Sequence, residues 1–108
     1  MIERWAVAFA LTQVVEVPVY RLAGRVPLGR AFLASALTHP VVWFGFFSPR
    51  FEARYETRFL LAEGFAVVVE AMVVARGRAP QAALAVALAA NGASVLVGLL
   101  VRSLTGWP

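Results

Sequence analysis

Long apolar runs separated by short polar connectors dominate the chain. Four runs, residues 5–22, 28–47, 58–75 and 81–101, each match the ~20 residues a helix needs to cross ~30 Å of hydrocarbon. The connectors RLAGRVP, ending at Pro27, and RGRAP, ending at Pro80, have the arginine, glycine and proline content of tight turns. The third, SPRFEARYET, is longer and carries the helix-breaking Pro49 near its start. The pattern predicts an all-α fold: a polytopic membrane protein with four transmembrane helices, arranged as two helical hairpins in one domain over residues 1–108.

Composition strengthens the membrane reading. With 61% hydrophobic and 15% charged residues in 108 positions, the chain has more apolar surface than a soluble domain of this size buries. The lipid bilayer is therefore the expected partner. Glu3 and Arg4 precede the first run where a secretory signal would carry a cluster of positive charge, so the first helix is expected to be retained. Cysteine is absent, which excludes disulfides and thiol metal sites.

All ten basic residues are arginine and all six acids are glutamate. The arginines cluster at helix ends, where they anchor headgroups, and form no basic domain able to hold nucleic acid. They divide equally between the two ends of the proposed bundle. Acids carry little weight in the rule that counts basic residues, but Glu3, Glu52 and Glu56 all fall on the side of the termini and central loop, and with the arginines tied the expectation is that the tight turns, 23–27 and 76–80, face the cytoplasm of an inner membrane.

Three carboxylates interrupt these runs: Glu16 in the first, Glu63 and Glu70 in the third. An ionisable group at bilayer depth costs at least ~2.5 kcal/mol and ordinarily faces a protein interior or a water-filled cavity. With Gln13, His39 and Asn91 they form a polar ladder of proton- or substrate-binding candidates. The spacing of seven places Glu63 and Glu70 on one helix face. Ser35, Thr38 and Ser94, like Gln13 and Asn91, also suit interhelical hydrogen bonding. His39 has no second histidine to share a metal, so no metal and no cofactor is expected. Pro40 removes the N–H that would bond the Ala36 carbonyl, which predicts a kink in the second helix.

Helix packing has its own signature. Ala90, Ser94 and Gly98 recur every four residues, a row that lets another backbone approach closely, from the first helix, a second copy or a larger membrane complex. Trp5, Tyr20, Trp43, Phe47, Phe51, Tyr55 and Trp107 lie near predicted helix ends, where aromatic rings suit the membrane interface.

The two hairpins also align with each other after a small gap. Val15-Glu16 matches Val69-Glu70, and Ala34-Ser35 with Thr38 matches Ala90-Asn91 with Ser94. Repeats starting on the same side of a membrane are parallel, related by a pseudo-twofold axis along its normal, with Glu16 and Glu70 facing each other as an acidic pair.

The size, four spans and first-helix glutamate are similar to the small multidrug resistance transporters, a likeness that implies proton exchange at that acid. The chain departs from that family in continuing Glu16-Val-Pro-Val-Tyr and in carrying acids in its third helix. The run Ala34-Ser-Ala-Leu-Thr-His-Pro-Val-Val-Trp43, with Ala62-Glu63, Val69-Glu70-Ala71 and Ala90-Asn91, resembles a group of uncharacterised small bacterial four-helix integral membrane proteins. That resemblance implies a bacterial inner-membrane location and no particular activity. The sequence leaves open proton-coupled transport of a small solute, a role as subunit of a membrane complex, a purely structural role, and an intramembrane enzyme using Glu63, Glu70, His39 and Asn91. No nucleophile elbow, metal-histidine pair or phosphate-binding glycine loop supports the enzyme.

Overall fold

The computed structural model describes residues 2–107, and they are helical except at the connectors and at residues 106 and 107. α1 spans Ile2–Leu22, α2 Leu28–Val41, α3 Tyr55–Val74 and α4 Pro80–Thr105. Pro80 occupies the first turn of α4, where its missing N–H is not needed, and Gly106, at φ 71°, ends that helix by donating its N–H to the Arg102 carbonyl. Pro18 leaves α1 continuous.

The second helix changes form where Pro40 predicts trouble. After Val41 the backbone widens into a π-helical segment, Val42–Phe46, and the Phe47 N–H reaches the Val42 carbonyl at 3.2 Å. Proline cannot donate to Ala36 and its ring crowds that carbonyl, so an irregular turn follows instead of ordinary α geometry. The remaining limits lie close to the apolar runs; α4 extends further, to Thr105, because polar Arg102 and Ser103 continue it beyond its apolar part.

Each helix packs against two others. α1 lies beside α2 and α4, and α3 lies beside α2 and α4, so α1 and α3 stand across the bundle from each other, as do α2 and α4. Short turns place 23–27 and 75–79 at one end, where the Arg78 guanidinium donates to the Gly24 carbonyl at 2.7 Å. Arg4, Phe47, Tyr55 and Arg102 come together at the other end.

Gly24 permits the close approach at the turn end. A β-carbon there would lie 2.8 Å from Val86 Cγ2 and 3.0 Å from the Tyr20 carbonyl oxygen. Gly24→Ala is expected to cost about 1–3 kcal/mol by overpacking, read as a lower midpoint in thermal unfolding of the purified protein. An unchanged midpoint would show that this turn yields freely.

Polar side chains share the interior with small apolar ones, and many large apolar side chains face outward. Glu16, Ser35, Thr38, Glu70 and Asn91 are buried, while Leu60, Met72, Leu88, Leu96 and Leu104 each expose more than 60% of their surface. Small residues fill the contacts: Ala31, Ala34, Ala83, Ala87 and Ala90 bring the backbones together around Tyr20, Val26 and Val74. Tyr20, expected at the interface, is instead completely buried, because it lies one turn beyond Glu16 on the inward face of α1.

Among the described residues, one helix, Pro80–Thr105, is long and apolar enough by itself to cross a membrane. Gln13, Glu16 and Pro18 dilute α1, α2 leaves α geometry after Val41, and α3 carries Arg58, Glu63 and Glu70. Of those groups, Glu16 and Glu70 are turned fully into the bundle.

Candidate functional site

A small cavity at the centre of the bundle gathers most of the polar residues from all four helices. Glu16, His39, Glu63, Glu70 and Asn91 all line it, together with Thr12, Ser35, Thr38 and Ser94; its volume is about 130 Å³. No arginine, phenylalanine, tyrosine or tryptophan is among the lining residues.

Glu70 is the best-supported group in the cavity. Its Oε1 accepts hydrogen bonds from the Tyr20 hydroxyl at 2.7 Å and from the Asn91 amide at 3.2 Å, and its Oε2 accepts from the Thr38 hydroxyl at 2.7 Å. Each donor comes from a different helix, α1, α4 and α2, so this one carboxyl of α3 ties the other three together. The Asn91 amide also donates to the Ala87 carbonyl one turn back at 2.9 Å, which fixes its orientation.

Glu16 is equally buried, at 1% exposure, and less supported. The Ser94 hydroxyl donates to its Oε2, while Oε1 has no donor. The carboxyl of Glu70 lies within hydrogen-bonding reach of the Glu16 carboxyl. Two carboxylates in such contact repel unless a proton or cation sits between them. The bonds from Thr38 to Glu70 and from Ser94 to Glu16 join matching positions of the two hairpins.

The other candidates separate by position. Glu63 lines the cavity and does not pair with Arg58, whose guanidinium donates to the Ala53 carbonyl at 3.0 Å. His39 reaches the cavity from a box of Trp5, Phe9 and Trp43, with ring centroids 6.3, 5.5 and 6.2 Å away, and its Nδ1 is buried without a partner. Gln13 lies outside the cavity lining; its amide donates to the Phe32 carbonyl at 3.2 Å, an α1 to α2 link. Of the small-residue row, Ala90 is buried, Ser94 holds Glu16, and a β-carbon on Gly98 would meet nothing within 4 Å.

Among the described residues no group of three or more histidines, cysteines or carboxylates is placed to hold a metal ion. The arrangement offers instead a buried acidic pair with an organised set of donors around one member. Tyr20, as a donor to Glu70, is the member of this arrangement that sequence reading missed. Its signal was the four-residue spacing from Glu16, which puts both side chains on one face. Comparison of the chain with protein-family models, with curated proteins and with solved structures gave no match.

Proposed function

We propose that the chain is an integral membrane protein of four transmembrane helices whose Glu16–Glu70 pair carries proton-coupled transport of a small solute. The observation that supports it best is the central cavity, which joins two fully buried carboxyls to Glu63, His39 and Asn91 inside a bundle whose outside is apolar. The residues that make α1 and α3 poor spans by composition include these two inward-facing acids, so the surface offered to lipid is more apolar than the helices are on average. The bundle's longest dimension, 38 Å, fits the ~40–45 Å of a bilayer with its headgroup regions. A carboxyl pair that takes and releases a proton while a solute occupies the same cavity provides the coupling.

Two measurements test this reading. Single cysteines placed at positions 2 and 106 of the cysteine-free chain are expected to react with an impermeant maleimide from the same side of the membrane. Labelling from opposite sides contradicts an even number of spans. In proteoliposomes, an imposed proton gradient is expected to drive accumulation of at least one member of a panel of small cations and metabolites, and solute addition to move protons. Fluxes no greater than those of empty vesicles, together with copurification of a stable partner, would instead identify a subunit of a larger complex.

A further inference from the structure

The two halves of the acidic site are unequal, and four residues make them so. Asn91 reaches Glu70 with its amide, but the matching position in the first hairpin is Ser35, whose shorter side chain leaves its hydroxyl without a partner. Tyr20, four residues after Glu16, donates to Glu70; Val74, four residues after Glu70, has no donor to return. Glu70 therefore accepts three hydrogen bonds and Glu16 only that from Ser94. Glu16 Oε1 and Ser35 Oγ belong to side chains each 1% exposed, line the same cavity and have no hydrogen-bond partner.

The chemistry of this gap selects its occupant. The polar side chains lining the cavity offer mostly oxygens, from Thr12, Glu16, Ser35, Thr38, Glu63, Glu70, Asn91 and Ser94, with the His39 imidazole as the one nitrogen heterocycle, a donor set that suits hard cations. Of the two fully buried carboxyls, Glu70 has its oxygens engaged by three donors and Glu16 keeps one oxygen without a donor, which matches a single positive charge; Glu63, the third carboxyl of the lining, is only half-buried. The absence of a three-ligand cluster among the described residues disfavours a transition metal, and no Trp, Tyr or Phe is among the cavity's lining residues to receive an organic ammonium ion on its ring face. At about 130 Å³ the space admits an alkali cation with a few waters, each of which occupies ~30 Å³ in the liquid.

The geometry points to a binding site for one sodium-sized alkali cation between Glu16 and Ser35, where the ion takes the place of the proton shared with Glu70. The site is the one invoked for proton coupling, and this inference rests on that reading only for the consequence of binding, not for binding itself. Glu16 is faced by Glu63 and Glu70 from α3 and His39 from α2, by neutral Asn91 and Ser94 from α4, and by Tyr20 on its own helix. Protons and the cation therefore compete for one carboxyl pair, and acidification weakens cation binding.

Scintillation proximity binding of ²²Na⁺ to the purified full chain in detergent tests the site without requiring transport. One saturable site per chain is expected, competed by Li⁺ and Na⁺, untouched by N-methylglucamine and weaker at acid pH. Ser35→Ala is expected to reduce affinity about tenfold, the loss of roughly one ligand interaction of 1.4 kcal/mol, and Glu16→Gln to remove binding. Absence of saturable binding to the unmodified protein overturns the proposal and leaves water in the gap. Unchanged affinity in Ser35→Ala overturns the placement, even if Glu16→Gln does not fold, and stronger competition by methylammonium than by Na⁺ overturns the assignment to an alkali cation. Binding without flux in proteoliposomes would keep this site while rejecting the transport function, and flux without binding would do the reverse.

Discussion

Glu70→Leu is expected to lower the stability of the folded protein by about 2–4 kcal/mol, since a leucine fills nearly the same space and accepts nothing. The loss is distributed unevenly among the three donors. Thr38 falls back on the Ala34 carbonyl, already 3.4 Å from its hydroxyl, and Asn91 keeps its bond to the Ala87 carbonyl. Tyr20 has no such reserve: it is completely buried and Glu70 is the partner of its hydroxyl. A buried donor left unmet costs ~1–3 kcal/mol, so most of the penalty belongs to this one group. The sign of a second substitution then reverses with background. Tyr20→Phe should destabilise the unmodified protein by about 1 kcal/mol and should partly restore stability in Glu70→Leu, because it removes the orphaned hydroxyl. Denaturant or thermal unfolding of the four proteins in one detergent completes the cycle. Additive losses in the double variant would mean that Tyr20 and Glu70 are not coupled through this bond.

The helices and their polar centre were legible because both follow from periodicity. Apolar runs of membrane-spanning length gave the limits of α1 and α3 to within a few residues, and the depth of Glu16, Glu63, Glu70, His39 and Asn91 along those runs anticipated that they would meet. The alignment of Thr38 with Ser94 likewise anticipated two matching hydroxyl donors, although not which acid each would hold. Other features depend on azimuth and on atoms in different helices, which a linear pattern expresses poorly. Gln13 shares a depth with the cavity yet turns toward the Phe32 carbonyl, and Tyr20 sits near a helix end yet turns inward to Glu70. The kink at Pro40 was readable from its missing N–H, but its resolution as a π-helical turn was not, since it depends on how the following aromatic residues pack. Gly98 belongs to a plausible packing row, and the single chain places nothing against it.

Glu16→Gln is expected to leave the fold intact and abolish proton coupling. The glutamine carbonyl can still accept the Ser94 hydroxyl, and its amide can donate to Glu70, the contact that a glutamate makes only when a proton lies between the two acids. The variant therefore imitates the proton-loaded pair permanently. Stability should stay within about 0.5 kcal/mol of the original or rise, as a repulsive contact becomes a hydrogen bond and Ser94 keeps its acceptor. Transport should respond differently, because an amide neither releases nor takes up a proton at working pH. Gradient-driven accumulation is expected to fall by a factor of at least about 100, the lower end of what a single acid-base group contributes to catalysis, while exchange of solute without a gradient persists. This split between stability and coupling distinguishes a working acid from one retained for packing. Side-by-side unfolding and proteoliposome flux measurements supply the comparison, with Ser94→Ala as a variant that loses the donor and keeps the carboxyl. If Glu16→Gln still accumulates solute against a proton gradient at the original rate, the proton is carried elsewhere, and Glu63, the remaining carboxyl of the cavity, becomes the group to replace.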